Sequence, residues 1–170
     1  HQKYGDKERK LSEYAWGYCF PADEMGFRWT VLVGKERKAK GWVATTVPMK
    51  GGMGRFAIGK RLEFVEDNGD REVDIVVKSD QESSAQCLVS EVVERRAEGR
   101  THEEESLVKS GGSNGVVDRA VQKIEGSIRA LFLALQERVG RKVDARERVV
   151  AFVPEYVTYL LNRLKEGEDG

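Results

Sequence analysis

Between Tyr14 and Phe20 bulky and small residues take turns: Tyr14, Trp16, Tyr18 and Phe20 alternate with Ala15, Gly17 and Cys19. A period of two marks a β-strand, because successive side chains leave a strand on opposite faces. This strand therefore has one bulky face and one tight face, and Pro21 ends it. Two more runs rich in β-branched and aromatic residues follow, Phe27 to Val33 and Trp42 to Val47, each bounded by Gly, Pro or charge. Three consecutive strands in an antiparallel meander are the simplest account.

The period then changes. Ile58, Leu62 and Val65 recur at helical spacing and Asn68-Gly69 is a stop signal, so a helix is expected there. Val73 to Val77 reads as a short strand buried on both faces, and Ser83 to Ala97 returns to helical spacing through Leu88, Val92 and Val93. A brief polar strand is expected near Thr101 to Ser106. The glycine-rich loop Ser110 to Gly115 then leads into the longest helix, whose apolar positions Val117, Val121, Ile124, Ile128, Leu131 and Leu135 end before Gly140. A last helix is expected over Val149 to Lys165, with Val153, Tyr156, Leu160 and Leu164 on one side and Pro154 early, where proline is tolerated. The order βββ-α-β-α-β-α-α predicts an α/β fold, a mixed sheet flanked by helices. With 170 residues the chain has the size of one domain. Residues 1–13 read as a polar lead-in, 14–166 as the domain, and 167–170 as the polar tail of a fragment.

Composition excludes several function classes. Hydrophobic residues are 39%, charged residues 34%, and Lys+Arg and Asp+Glu number 29 each. That balance is ordinary globular material, and no apolar run is long enough for a membrane helix. The chain reads as soluble and intracellular. Cys19 and Cys87, with only His1 and His102, supply neither a disulfide framework nor a zinc site. The neutral total hides a gradient, however. Arg28 to Arg61 holds nine basic residues against the single acid Glu36, whereas Leu62 to Ser106 holds five against fourteen. The first stretch is expected to form a basic region able to meet nucleic-acid phosphates.

Gly54 to Arg61 matches the G-x-x-x-x-G-K phosphate loop but has Arg61 where Ser or Thr must bind magnesium. Its intervening residues are bulky and helical in pattern, so a turn into a helix is the better reading. Two acids are more suggestive. Asp80 follows the buried strand and the turn Lys78-Ser79, at the strand end where open α/β sheets bind ligands. Asp118 falls in the first turn of the longest helix, just after Ser113-Asn114-Gly115. Each also has a plain structural reading, Asp80 as a turn residue and Asp118 as a carboxylate favouring a helix N-terminus.

The segments WGYCFP, IVVKSDQES and GSNGVVDRAVQKIEGSIRAL, with the later YVTYLLNRL, together resemble the integrase catalytic core of retroviruses and LTR retrotransposons, most of all Copia-type elements. The resemblance implies an RNase H-like fold with a mixed five-stranded sheet. It also implies DNA as partner, oligomers, a nuclear or cytoplasmic-particle location, and three acids holding Mg2+ (or Mn2+) for phosphodiester transfer. Two ions about 3.5–4 Å apart suit such an in-line displacement. Asp80 matches the second acid and Asp118 the third. The first acid's place is Gly17, which has no ligand atom. The third is normally Glu, and Asp118 is shorter by one bond of about 1.5 Å, more than the roughly 0.5 Å that such sites tolerate. Catalytic impairment follows as an expectation. Asp23 and Glu24 are substitute candidates only if the chain turns back after Pro21, since six extended residues reach about 20 Å. Glu82 is a third candidate, with helix initiation as its simpler role. Asn114, Gln122, Lys123 and Arg129 are the expected DNA contacts. Gln122, Glu125 and Arg129 share the helix face of Asp118, where a Glu125–Arg129 pair is the competing reading. The alternative to an impaired enzyme is a non-catalytic nucleic-acid-binding or assembly module of the same fold.

Overall fold

The computed structural model describes residues 11–49, 55–79, 92–96, 98–105 and 115–164. Five strands form one sheet: β1 (Ser12–Cys19), β2 (Thr30–Glu36), β3 (Trp42–Val47), β4 (Ile75–Ser79) and β5 (Thr101–Glu105). Their order is β3-β2-β1-β4-β5. The first three form the antiparallel meander, and β4 and β5 add parallel on the other side of β1. Around the sheet lie α1 (Arg55–Asp67), α2 (Gly115–Val139) and α3 (Arg148–Arg163). Residues 92–95 are helical and Arg96 is not, while residues 83–91 and 97 of the helix expected over Ser83 to Ala97 lie outside the described residues.

The alternation in β1 sorts the two faces of the sheet. Tyr14 and Trp16 join Leu32, Val47, Ile75 and Val77 against Ala57, Phe64 and Val65 of α1. Phe64 meets both rings edge-on at 5.7 Å between centroids. On the tight face Cys19, Val31, Val33 and Ala44 pack against Ala120, Ile124, Ile128 and Phe132 of α2 and Val150, Val153 and Val157 of α3. Each such fully buried aliphatic side chain stabilises the fold by about 1.5–3 kcal/mol. Gly34 is required by the other face, because Trp16, its cross-strand partner, lays its ring over the glycine and leaves no room for a Cβ.

Several sequence expectations shift. β1 begins at Ser12, two residues before Tyr14. The second strand runs over Thr30–Glu36 rather than Phe27 to Val33. Residues 21–29 instead make an excursion closed by an Ala22–Arg28 bridge, in which Asp23 accepts hydrogen bonds from the backbone N–H of Met25 and Phe27. Local side-chain bonding of this kind competes with the ladder and delays the strand. The buried line of α3 is Val150, Val153, Pro154 and Val157, while Tyr156 and Leu164, expected beside Val153, are exposed. The helix is apolar on two sides, so periodicity alone could not select the inward one.

Arg61, counted in the basic region, is buried. Its guanidinium lies 4.8 Å from the Trp16 ring centroid and hydrogen bonds to Tyr18, with no carboxylate partner among the described residues. Burial pulls its pKa down to about 10. Arg96 anchors the β4–β5 end of the sheet: Nη2 donates to the carbonyls of Asp70, Arg71 and Val73, and Nη1 to the Thr101 hydroxyl. This ties the α1–β4 connection to β5, and Asp70 in turn accepts the Tyr14 hydroxyl at 2.6 Å. Arg96→Met keeps the side chain's apolar stem and removes its donors. It is expected to lower stability by about 1–3 kcal/mol in urea unfolding, and an unchanged midpoint would show the clamp to be idle.

Candidate functional site

The tight face of β1 fixes the geometry around the three positions named from sequence. A Cβ built on Gly17 would lie 2.7 Å from Val117 Cγ1 and 3.0 Å from Val121 Cγ2. The first two turns of α2 therefore rest directly on the glycine, and residues on either side of Asp118 in the helix supply the contact. β1 and β4 are parallel neighbours, with Ala15 paired to Lys78, so the C-terminal end of β4 lies alongside the same part of β1. The sheet thus brings Gly17, the end of β4 and the start of α2 together. Asp80 follows the last residue of β4 and lies outside the described residues, as do Glu82 and Asn114.

Asp118 is exposed in the first turn of α2. Gln122, Lys123 and Arg129 are exposed too, along the same helix. Arg129 Nη2 lies 3.7 Å from Glu125 Oε1, so the intrahelical pair is formed. An exposed pair at this spacing contributes only about 0.2–0.5 kcal/mol. Cys19, two residues beyond Gly17, is buried under α2, and burial with the nearby Glu125 charge pushes its thiol up to about 12.

The substitute ligands have other duties. Asp23 spends Oδ1 on two backbone N–H groups of its own turn and Oδ2 on the N–H of Ala145, 3.3 Å away, which staples the excursion to the segment before α3. Glu24 pairs with Lys142. Both line a cavity of about 230 Å³ that their excursion shares with the middle of α2, from Glu125 to Gln136. From Asp118 to Ile128 is ten helical residues, about 15 Å. The sequence had offered no sign of this beyond the Pro21 break, because the partner Ala145 is 122 residues away.

The described residues do not by themselves furnish a two-ion centre, Asp80 and Glu82 lying outside them. The first position contributes no oxygen, and the space a carboxylate would need holds two valine methyl groups. No group of three His, Cys, Asp or Glu side chains among the described residues could hold a metal ion. A cavity of about 380 Å³ lies elsewhere, between β3, α1 and α3, lined by Lys60, Glu63, Asp67, Glu155 and Asn162 among others.

The basic region is also redistributed. Lys60 pairs with Glu63 at 3.0 Å, and Arg61 is internal. Lys35, Arg37, Lys38 and Lys40 gather at the β2–β3 hairpin, whose turn is held by the buried Glu36 carboxylate accepting the N–H groups of Lys38 and Ala39. That hairpin adjoins the start of β1, where Arg37 pairs with Glu13. Gly17 is four residues further along β1, about 13 Å. Of the basic surface expected over the second and third strands and α1, Arg61 is withdrawn into the core and four of the cations gather at the hairpin, while Arg28 and Arg55 are exposed and Lys50 lies outside the described residues.

No protein-family model matches the sequence, and no curated protein does. The fold does have solved counterparts. The catalytic core domain of BIV integrase is 12% identical, with a TM-score of 0.52 over 93% of this chain and 88% of that one. The HTLV-2 integrase catalytic core domain, solved in complex with magnesium in a trimeric form, is 10% identical with a TM-score of 0.60 over 95% and 93%. A simian T-cell lymphotropic virus intasome, solved in complex with PP2A regulatory subunit B56 gamma, contains a chain 11% identical with a TM-score of 0.58, of which this chain spans 49%. At these identities the shared property is the fold, that of a retroviral integrase catalytic core.

The seat on Gly17 has a diagnostic sign. Glycine inside a strand ordinarily costs about 0.5–1 kcal/mol relative to alanine, so Gly17→Ala on an open strand would stabilise. Here overpacking against Val117 and Val121 is expected to make it destabilising by about 1–3 kcal/mol, with Val117→Ala in the same chain recovering part of the loss. Urea unfolding of the single and double variants checks this, and a stabilised Gly17→Ala protein would mean that α2 does not rest there.

Proposed function

We propose that this chain is a DNA-integration-type core of an LTR retrotransposon, of the Copia kind, that keeps the fold's association with DNA and has lost phosphodiester transfer. The observation carrying the proposal is the contact of α2 with Gly17: the first acid's place holds no ligand, and valine side chains fill the space beside it. The shorter carboxylate of Asp118 points the same way. With the first position vacant of oxygen, the residues on hand cannot clamp an attacking and a leaving oxygen in line, as two-ion catalysis requires. The remaining polar groups, Gln122, Lys123 and Arg129 on the exposed side of α2, suit backbone contacts to DNA rather than chemistry.

On this reading the partner is DNA and the domain acts by binding and assembly, in the nucleus or in a cytoplasmic particle. The HTLV-2 core, whose fold is similar, occurs in dimeric and trimeric forms, which supports a homo-oligomer here as well. Mg2+ or Mn2+, expected from the resemblance, would have Asp80 and Asp118 as ligands, with Glu82 as the further candidate.

Purified protein is expected to bind duplex DNA with an affinity that falls as salt rises, and to join no labelled DNA ends in Mg2+ or Mn2+. Joining activity that Asp80→Ala abolishes would overturn the loss of catalysis, and absence of any DNA binding would overturn the DNA role.

A further inference from the structure

The excursion at residues 21–29 and the middle of α2 border the cavity of about 230 Å³ that Asp23 and Glu24 line. Most of its lining is apolar, from Pro21, Trp29, Ile128, Phe132 and Leu133. Three of these belong to the core: Ile128 is fully buried, and the Trp29 and Phe132 rings lie 5.9 Å apart between centroids, inclined at 44°. Leu133 is instead 55% exposed.

The polar groups around this cavity are largely in use. Asp23 accepts from three backbone N–H groups, and Glu24 pairs with Lys142. Glu125 lies 3.7 Å from Arg129, and the Gln136 side-chain carbonyl accepts the Val143 N–H. Trp29 differs. Its side chain is nine-tenths buried, and its indole N–H, closed to solvent, has no acceptor among the described residues. An indole nitrogen can only donate, and a buried donor left unpaired is unfavourable. Buried donors are as a rule paired, so an unpaired one on the wall of an apolar cavity marks where a ligand's acceptor would be held.

We propose that this cavity is a binding site for a small neutral aromatic molecule, one or two rings carrying a carbonyl or ring-nitrogen acceptor for the Trp29 indole. Volume sets the size. An apolar cavity of about 150 Å³ holds benzene and drug-sized ligands take about 300–1,000 Å³, so the fit here is to a body between the two. Charge sets the rest. An anion would face Asp23, Glu24 and Glu125, and a cation has no acceptor to offer the indole and would lose its hydration against apolar walls. The inclined rings of Trp29 and Phe132 favour an aromatic body over an aliphatic one. A small turn of the indole into the free volume brings its N–H to the ligand. The bound molecule then braces the excursion against α2, at a site that does not depend on the DNA role and is tested without nucleic acid.

The test is an NMR titration of the full chain with acetophenone, beside toluene, which keeps the ring and lacks the acceptor. The chain has three tryptophans, so three indole N–H resonances are expected, and Trp29→Phe assigns the one that disappears. Acetophenone is expected to move the Trp29 indole proton downfield and saturably, with half-saturation at roughly 1 mM, and to raise the melting temperature over the same range. Toluene should leave that proton without the downfield shift. Ala22→Leu with Leu133→Phe, both at exposed lining positions, narrows the cavity and should weaken acetophenone binding at least about fivefold. The titration of the parent chain is decisive even if that variant fails to fold. No saturable shift of the Trp29 proton overturns the inference, as does an equal shift with toluene or an undiminished one in the folded double variant. A Trp29 resonance that moves with protein concentration alone also overturns it, and would assign the cavity to a second copy of the chain.

Discussion

The contact of α2 with Gly17 is the point from which most of the architecture can be followed. A helix lies on a sheet at a distance set by the side chains between them, and Gly17 contributes none. Val117 and Val121 occupy that depth, the apolar row from Ala120 to Phe132 then runs on over β1 and β2, and α3 closes the layer behind it. The same contact leaves no room for a side chain at position 17, which under the proposed function is the place of the first metal ligand.

The distribution of charge shows how far a linear count lies from a surface. Arg28 to Arg61 is the most basic stretch of the sequence, yet Arg61 is among its most buried side chains, stacked on Trp16 with no described counter-ion. Removing a guanidinium from water is unfavourable, and its ring contact and the Tyr18 hydrogen bond offset only part of that cost. Glu36, the one acid in the stretch, is buried as well, where its carboxylate organises the hairpin that exposes the lysines. Asp23 likewise acts as a local turn former with a long-range tie to Ala145, which removes it from any role at Gly17.

Much of the fold was legible in advance, and for a clear reason. The alternation of β1, the apolar rows of α1 and α2 and the short buried run of β4 are each local patterns imposed by a two-sided sheet or a one-sided helix. They located the elements to within a few residues, whereas bringing the glycine of β1 beside the start of α2 was implied only by the resemblance to integrase cores. The excursion at residues 21–29 was not legible, because it depends on Asp23 bonding its own turn in preference to continuing the ladder. The inward face of α3 was not legible either, since Tyr156 and Val157 are equally plausible core residues until β3 and α2 take their places.

For the candidate site the division is similar. Residue identity shows a glycine at position 17 and an aspartate at position 118, and only the resemblance to integrase cores makes these the places of the first and third acids. That the gap is filled by valine methyls, that Arg61 is internal, and that the excursion at residues 21–29 borders a cavity beside α2 all arise from contacts between residues far apart in the chain. Such contacts depend on how whole elements stack, and a one-dimensional pattern carries no record of depth.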